Sequence, residues 1–96
     1  MKIRDFQKRI RDNFHHKDEP RGDLKTFMWL VEEVGELSSS LLKSDKKNQA
    51  EELSDVIAWA FSLANILDID LEKVLNEKYP STCSCCQKSP CVCSKK

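Results

Sequence analysis

The 96-residue chain carries 16 basic and 16 acidic side chains with two glycines and three prolines, which fits a single domain with one core and favours helices over a β-sandwich. No apolar run approaches the roughly 20 residues needed to cross a bilayer, and no apolar signal region follows Met1-Lys2-Ile3-Arg4-Asp5, so a cytoplasmic protein with no membrane partner is expected. The zero net charge hides a segregation of +3 over residues 1–22, −7 over 23–77 and +4 over 78–96, which offers no continuous basic surface for duplex nucleic acid.

Ile3, Phe6, Ile10 and Phe14 recur at helical spacing and predict a first amphipathic helix over about residues 2–15. His15 and His16 follow at its expected C-terminal end, where a protonated imidazole would complement the helix dipole. Lys17-Asp18-Glu19-Pro20-Arg21-Gly22 reads as a break, with Asp23 as the N-cap of the next helix. That second helix is expected over about 24–43, with Leu24, Phe27, Leu30, Val31, Val34, Leu37 and Leu41 as its core stripe. Gly35 interrupts it at a cost of roughly 1 kcal/mol relative to Ala, which suggests close approach of a neighbouring helix.

Residues 43–47 form a polar turn of the length that joins antiparallel helices. Asn48 with Glu51 has the spacing of a capping box, with Asp45 and Ser44 as alternative caps. The third helix is therefore expected to start between 45 and 49 and to reach Leu67, its apolar side being Leu53, Val56, Ile57, Ala60, Leu63, Ala64 and Leu67. Asp70 would cap a short fourth helix through Lys78, which Pro80 stops. The predicted fold is all-α: an antiparallel helical hairpin with flanking helices over residues 1–80, followed by a short Cys-rich tail over 81–96.

Two acidic stretches stand out in the hairpin. Glu33 with Glu36 and Glu52 with Asp55 are each spaced three residues apart, which puts both members on one helix face. Four gathered carboxylates repel one another unless a cation sits among them, and hard oxygen ligands suit Mg²⁺, with Mn²⁺ as the alternative. An E-x-x-E pair by itself is a weak signal, because any soluble helix carries charge on its wet face. The two tryptophans sharpen it. Trp29 lies one turn before Glu33 and Trp59 one turn after Asp55, each on the same face as its acidic pair.

Folding the hairpin about residue 45 brings Glu36 level with Glu52, Glu33 with Asp55, and Trp29 with Trp59. Carboxylates then occupy the layers near the turn, and the indoles lie about 5.4 Å further along. A ligand with a metal-bound polyphosphate at one end and a flat base at the other matches that order, since indoles stack on nucleobases. The plainer alternative is a solvated acidic face with tryptophans used for packing.

The stretches Glu32-Glu33-Val34-Gly35-Glu36-Leu37 and Glu52-Leu53-Ser54-Asp55-Val56 resemble the paired E-E-x-x-E and E-x-x-D motifs of the all-α MazG-like nucleoside triphosphate pyrophosphohydrolases. The resemblance covers roughly residues 1–80. It implies an Mg²⁺-dependent enzyme that converts a (deoxy)nucleoside triphosphate to monophosphate and pyrophosphate, and a homo-oligomer, dimer or tetramer, whose core a second chain completes. Carried over by position, it makes Glu33, Glu36, Glu52 and Asp55 metal ligands and gives Glu32 one of two roles, orienting water or supporting the fold through an ion pair. Trp59 stands where relatives often have tyrosine. Asn76 and Lys78 are candidates for the Asn and the basic residue that precede the terminal Tyr-Pro, and Lys25, one turn before Trp29, for a further phosphate contact.

All five cysteines lie within residues 83–93. Cys83, Cys86, Cys91 and Cys93 give a C-x₂-C-x₄-C-x-C pattern that can enclose Zn²⁺. Disulfides and a flexible thiol-bearing tail are the alternatives, and Cys85 is left over in the zinc reading. The function competing with the enzyme is a non-enzymatic helical interaction module whose tail binds zinc.

Overall fold

In the computed structural model, which describes residues 1–94, four helices follow in chain order: α1 (Ile3–Arg21), α2 (Asp23–Leu42), α3 (Lys46–Ile66) and α4 (Leu71–Lys78). There is no strand among the described residues, and none of their helices is long and apolar enough to cross a membrane. The chain is all-helical as expected. Helices α2 and α3 form the principal antiparallel pair, α1 packs mainly along α3, and α4 folds back on α1.

The hairpin turn is made locally. Ser44 takes φ +55°, and the Asp45 carboxylate accepts from the Asn48 backbone amide at 3.2 Å, so Asp45 is the cap among the three candidates. Asp70 caps α4 as expected, accepting from the Lys73 amide at 3.3 Å.

Helix α1 departs from the sequence reading. It does not stop near residue 15 but runs through Pro20 to Arg21. Proline removes one amide, the one that would bond the carbonyl four residues back, and the next turn survives that loss: the Gly22 amide still donates to the Asp18 carbonyl at 3.1 Å. His15 is consequently inside the helix, paired with Glu19 at 2.8 Å, rather than a C-terminal cap. The break is Gly22 alone, at φ +86° and ψ 169°, a conformation essentially confined to glycine. Gly22 is therefore also the N-cap of α2, and Asp23 is its first helical residue.

A polar knot fixes α1 to the α3–α4 corner. The Gln7 side-chain amide donates to the buried Asn65 carbonyl oxygen at 3.0 Å and to the Ile69 backbone at 2.7 Å, and Gln7 Oε1 accepts from the Leu71 amide at 3.0 Å. Arg4 reaches Asp70 and Glu72 at 2.9 and 3.0 Å. Beside this knot Phe6 and Phe61 meet edge to face at 4.9 Å, a pairing that adds about 1 kcal/mol beyond burial.

The expected α2 core stripe divides in two. Leu30 and Leu37 turn partly inward, but Leu24, Phe27, Val31, Val34 and Leu41 remain largely exposed, with Leu24 at 78% and Val31 at 51%. Leu53 and Ile57 of α3 are half-exposed as well. The most deeply buried residues of α2 are instead small and polar, Thr26 and Ser40. Space around Gly35 is open, since a Cβ added there meets nothing within 4 Å. No helix of this chain explains that glycine.

Candidate active site

The hairpin register carries the carboxylates of α2 and α3 to one point. Oxygen atoms of Glu33, Glu36 and Glu52 all lie within 4.8 Å of one another. One oxygen each of Glu33 and Glu52 is buried and has no hydrogen-bond partner, a costly state for a carboxylate. Burial first, then the charges of Glu36, Asp55 and Glu52, push the Glu33 carboxyl up to about 7. Glu52 is raised for similar reasons, burial first and then Glu36. Crowded oxygens, two of them orphaned, form a donor set that a divalent cation would complete. The residues fit Mg²⁺ or Mn²⁺.

Asp55 lies one turn further along α3, outside that group of three but close enough for its charge to act on Glu33 and Glu52. Glu32 stands exposed on α2 beside the group.

The tryptophans meet as the register requires. Trp29 and Trp59 stack with ring centroids 6.1 Å apart and planes inclined by 15°. Their outer faces differ. Trp29 is 43% exposed, whereas the Arg21 guanidinium lies 4.8 Å from the Trp59 ring centroid, in a cation–π contact. A groove of about 500 Å³ opens over the pair, lined by Lys17, Pro20, Arg21, Lys25, Trp29 and Trp59.

Behind Trp59, between α1 and α3, lies a second recess of about 270 Å³. Ile10, Phe14, Ala58 and Trp59 give it apolar walls, and Asp18, Asp55 and Ser62 give it polar ones. Asp18 is 2% exposed. One of its oxygens accepts from Arg21 at 2.8 Å, while the other is buried without a partner. Arg21 also reaches the hydroxyl of buried Thr26 at 3.4 Å. Asp18 thus anchors the arginine that covers Trp59.

Lys17, Asp18 and Arg21 have no counterpart in the sequence reading, which took their segment for a loop. Their signal was present: Ile10, Phe14, Asp18 and Arg21 continue the three-and-four spacing of the first helix through the proline. Lys25 lines the groove together with Trp29 and Trp59. Asn76 and Lys78 do not join it in a single chain: Asn76 is exposed on α4, and the Lys78 ammonium lies 5.8 Å from the Tyr79 ring and lines a recess of the tail. In that tail the sulfurs of Cys83, Cys86, Cys91 and Cys93 form a second group whose members all lie within 4.8 Å of one another.

A carboxylate trio converges on the antiparallel hairpin, one turn from a stacked aromatic pair under a basic groove. The MazG nucleotide pyrophosphohydrolase domain matches residues 21–84, more than half of the chain, and the chain belongs to that family. The match spans α2, α3 and α4 and the start of the tail, while α1, which supplies Lys17 and Asp18, precedes it apart from Arg21. A search of curated proteins returns no match.

Proposed function

We propose that the protein is an Mg²⁺-dependent hydrolase that converts (deoxy)nucleoside triphosphates to monophosphate and pyrophosphate, clearing surplus or non-standard nucleotides from the cytoplasmic pool. The observation that carries this reading is the trio Glu33, Glu36 and Glu52, two of whose buried oxygens lack a partner, one turn from stacked Trp29 and Trp59. Family membership gives the bond class.

The trio, with Asp55 as the adjoining fourth carboxylate, would hold the metal. Bound there, Mg²⁺ supplies charge neutralisation for the phosphates and lowers the pKa of water for attack on phosphorus. Glu32, exposed beside the trio, is assigned to orient that water. Trp29 and Trp59 line the same groove, and Trp29 keeps an exposed outer face, so the base is assigned to the aromatic pair on the Trp29 side. Lys17, Arg21 and Lys25 line the same groove and supply positive charge to a substrate that carries several negative ones.

The reading includes a homo-oligomer. Leu24, Phe27, Val31 and Val34 of α2 are exposed at helical spacing, and Leu53 and Ile57 of α3 are half-exposed; a second copy covering the α2 stripe would bury apolar side chains and would also fill the space beside Gly35. Asn76 and Lys78 would touch substrate only if the α4 of another copy reached the groove.

The test is to incubate the protein with a mixed NTP and dNTP pool and Mg²⁺ and to follow the products. Monophosphate with pyrophosphate is expected, and Glu36→Ala should lower turnover by at least about 100-fold, since even residues behind the metal ligands typically cost 10–100-fold. Orthophosphate as the sole product would assign a different phosphohydrolase reaction. No turnover by the folded protein, with Mg²⁺ binding unchanged in Glu36→Ala, would remove the enzyme reading.

A further inference from the structure

The C-terminal tail has no means of folding by apolar burial. Between Ser81 and Ser94 its one large aliphatic side chain is Val92, which is 66% exposed. The rest is serine, threonine, cysteine, lysine, glutamine and proline. Yet residues 83–93 have a defined arrangement. The Cys83 amide donates to the Lys88 carbonyl at 3.0 Å, and the Gln87 amide donates to the Cys83 carbonyl at 2.7 Å, closing a loop on Gln87 at φ +60°. That loop brings Cys83 and Cys86 to one side, and the Cys91–Cys93 arm returns to meet them.

The sulfurs meet across the two arms, Cys83 with Cys93 at 3.9 Å and Cys86 with Cys91 at 3.8 Å. A tetrahedron with metal–sulfur bonds of about 2.3 Å has edges of about 3.8 Å. Disulfide sulfurs would lie at about 2.05 Å, and all five cysteines are free. Backbone amides also point at sulfur: Cys85 donates to Cys83 Sγ at 3.4 Å and Cys93 to Cys91 Sγ at 3.2 Å. Cys85 stays exposed and lies outside the group of four.

We propose that Cys83, Cys86, Cys91 and Cys93 form a tetrahedral structural Zn²⁺ site that folds the tail, separate in position and chemistry from the carboxylate site. Four soft sulfurs leave no open coordination position, which is the mark of a structural rather than a catalytic zinc centre. Four thiolates around Zn²⁺ leave a charge of −2, and Lys78 and Lys88 line the same recess as Cys83, Cys91 and Cys93, where they offset it. On metal binding each ligand thiol gives up its proton to solvent, with no change in oxidation state. Cys85 remains a free thiol.

The experiment uses the full chain, purified under reducing conditions. Elemental analysis should give one zinc per chain, and Co²⁺ exchanged for it should show the ligand-field bands of a tetrahedral tetrathiolate. Iodoacetamide should label Cys85 alone in the zinc form and all five cysteines after chelation, read by mass spectrometry. Cys85→Ser should keep the cobalt spectrum; Cys86→Ser should lose the tetrathiolate bands and weaken zinc binding by at least about 100-fold. Circular dichroism should show the helices retained when zinc is removed. Five reactive thiols in the metal-supplemented protein, iron as the resident metal, or equal zinc affinity in Cys86→Ser would each overturn the proposal. None of these readouts depends on nucleotide turnover, so failure here and failure of the enzyme reading remain distinct.

Discussion

At the scale of single residues the most informative group is Glu33, whose carboxyl is raised from 4.5 to about 7 by burial and by its acidic neighbours. A carboxyl raised in the folded state binds its proton more tightly there than in the unfolded chain, so its contribution to stability is full below about 4.5 and is lost as pH rises through about 7. The metal-free protein should therefore lose urea resistance between those values, in a window above the range of Asp70, which the Lys73 amide and Arg4 hold low. Mg²⁺ should reverse the trend, because its ligands must be deprotonated and it binds only the folded state. The rise in melting temperature on adding Mg²⁺ should be larger at pH 8 than at pH 5. Metal-free stability that climbs through this window would contradict the environment described for Glu33. The tryptophans should behave differently: Trp29→Ala should raise KM by about 5- to 150-fold, the equivalent of 1–3 kcal/mol of stacking, with the Mg²⁺ affinity kept. Titration of Mg²⁺ into the variant separates that outcome from unfolding.

At the scale of elements, the end of α1 decides how much of the site a single chain contains. Its last turn supplies Lys17, Asp18 and Arg21 to the walls around Trp59, and Gly22 turns the chain sharply into α2. Because Gly22 sits where a side chain is strained, Gly22→Ala should cost about 1–3 kcal/mol by chemical denaturation. It should also shift the fluorescence of Trp59 as Arg21 leaves its ring. A variant with wild-type stability would mean that the turn can be made in another way. The segment was unreadable locally for a physical reason. A proline among charges and followed by glycine is the ordinary signature of a loop, and what outweighs it is tertiary: Asp18 is buried against α3 with Arg21 as its partner. By contrast the hairpin was legible, since a polar turn between two long helical periods leaves one register, and that register brings Glu33, Glu36 and Glu52 together.

At the scale of the whole molecule, the chain buries few large apolar side chains. Among the described residues Ile10 and Ala64 are the buried hydrophobic ones, while the α2 stripe is largely exposed. A protein with that balance should associate, and light scattering on a size-exclusion column should report a dimer or larger. Val31→Glu, in the middle of the exposed stripe, should shift the mass toward the monomer and lower both stability and turnover, because a charge cannot be buried there without a partner. An unchanged mass would show that this stripe is not the interface.

By itself the sequence determined the helical class, the hairpin turn, the cap at Asp70 and which acidic and aromatic residues share a face, because each follows from local period and capping chemistry. It also brought the four cysteines within reach of one another, though not their geometry. Only the tertiary structure decided that α1 continues through Pro20, that Arg21 covers Trp59 and is held by Asp18, that the α2 stripe is surface rather than core, and that the four sulfurs gather within 4.8 Å of one another. The course of α1 and the cover over Trp59 depend on burial against α3, far along the chain, and the meeting of the sulfurs depends on how the tail loop closes; there burial and pairing outweigh the propensities that a local reading can weigh.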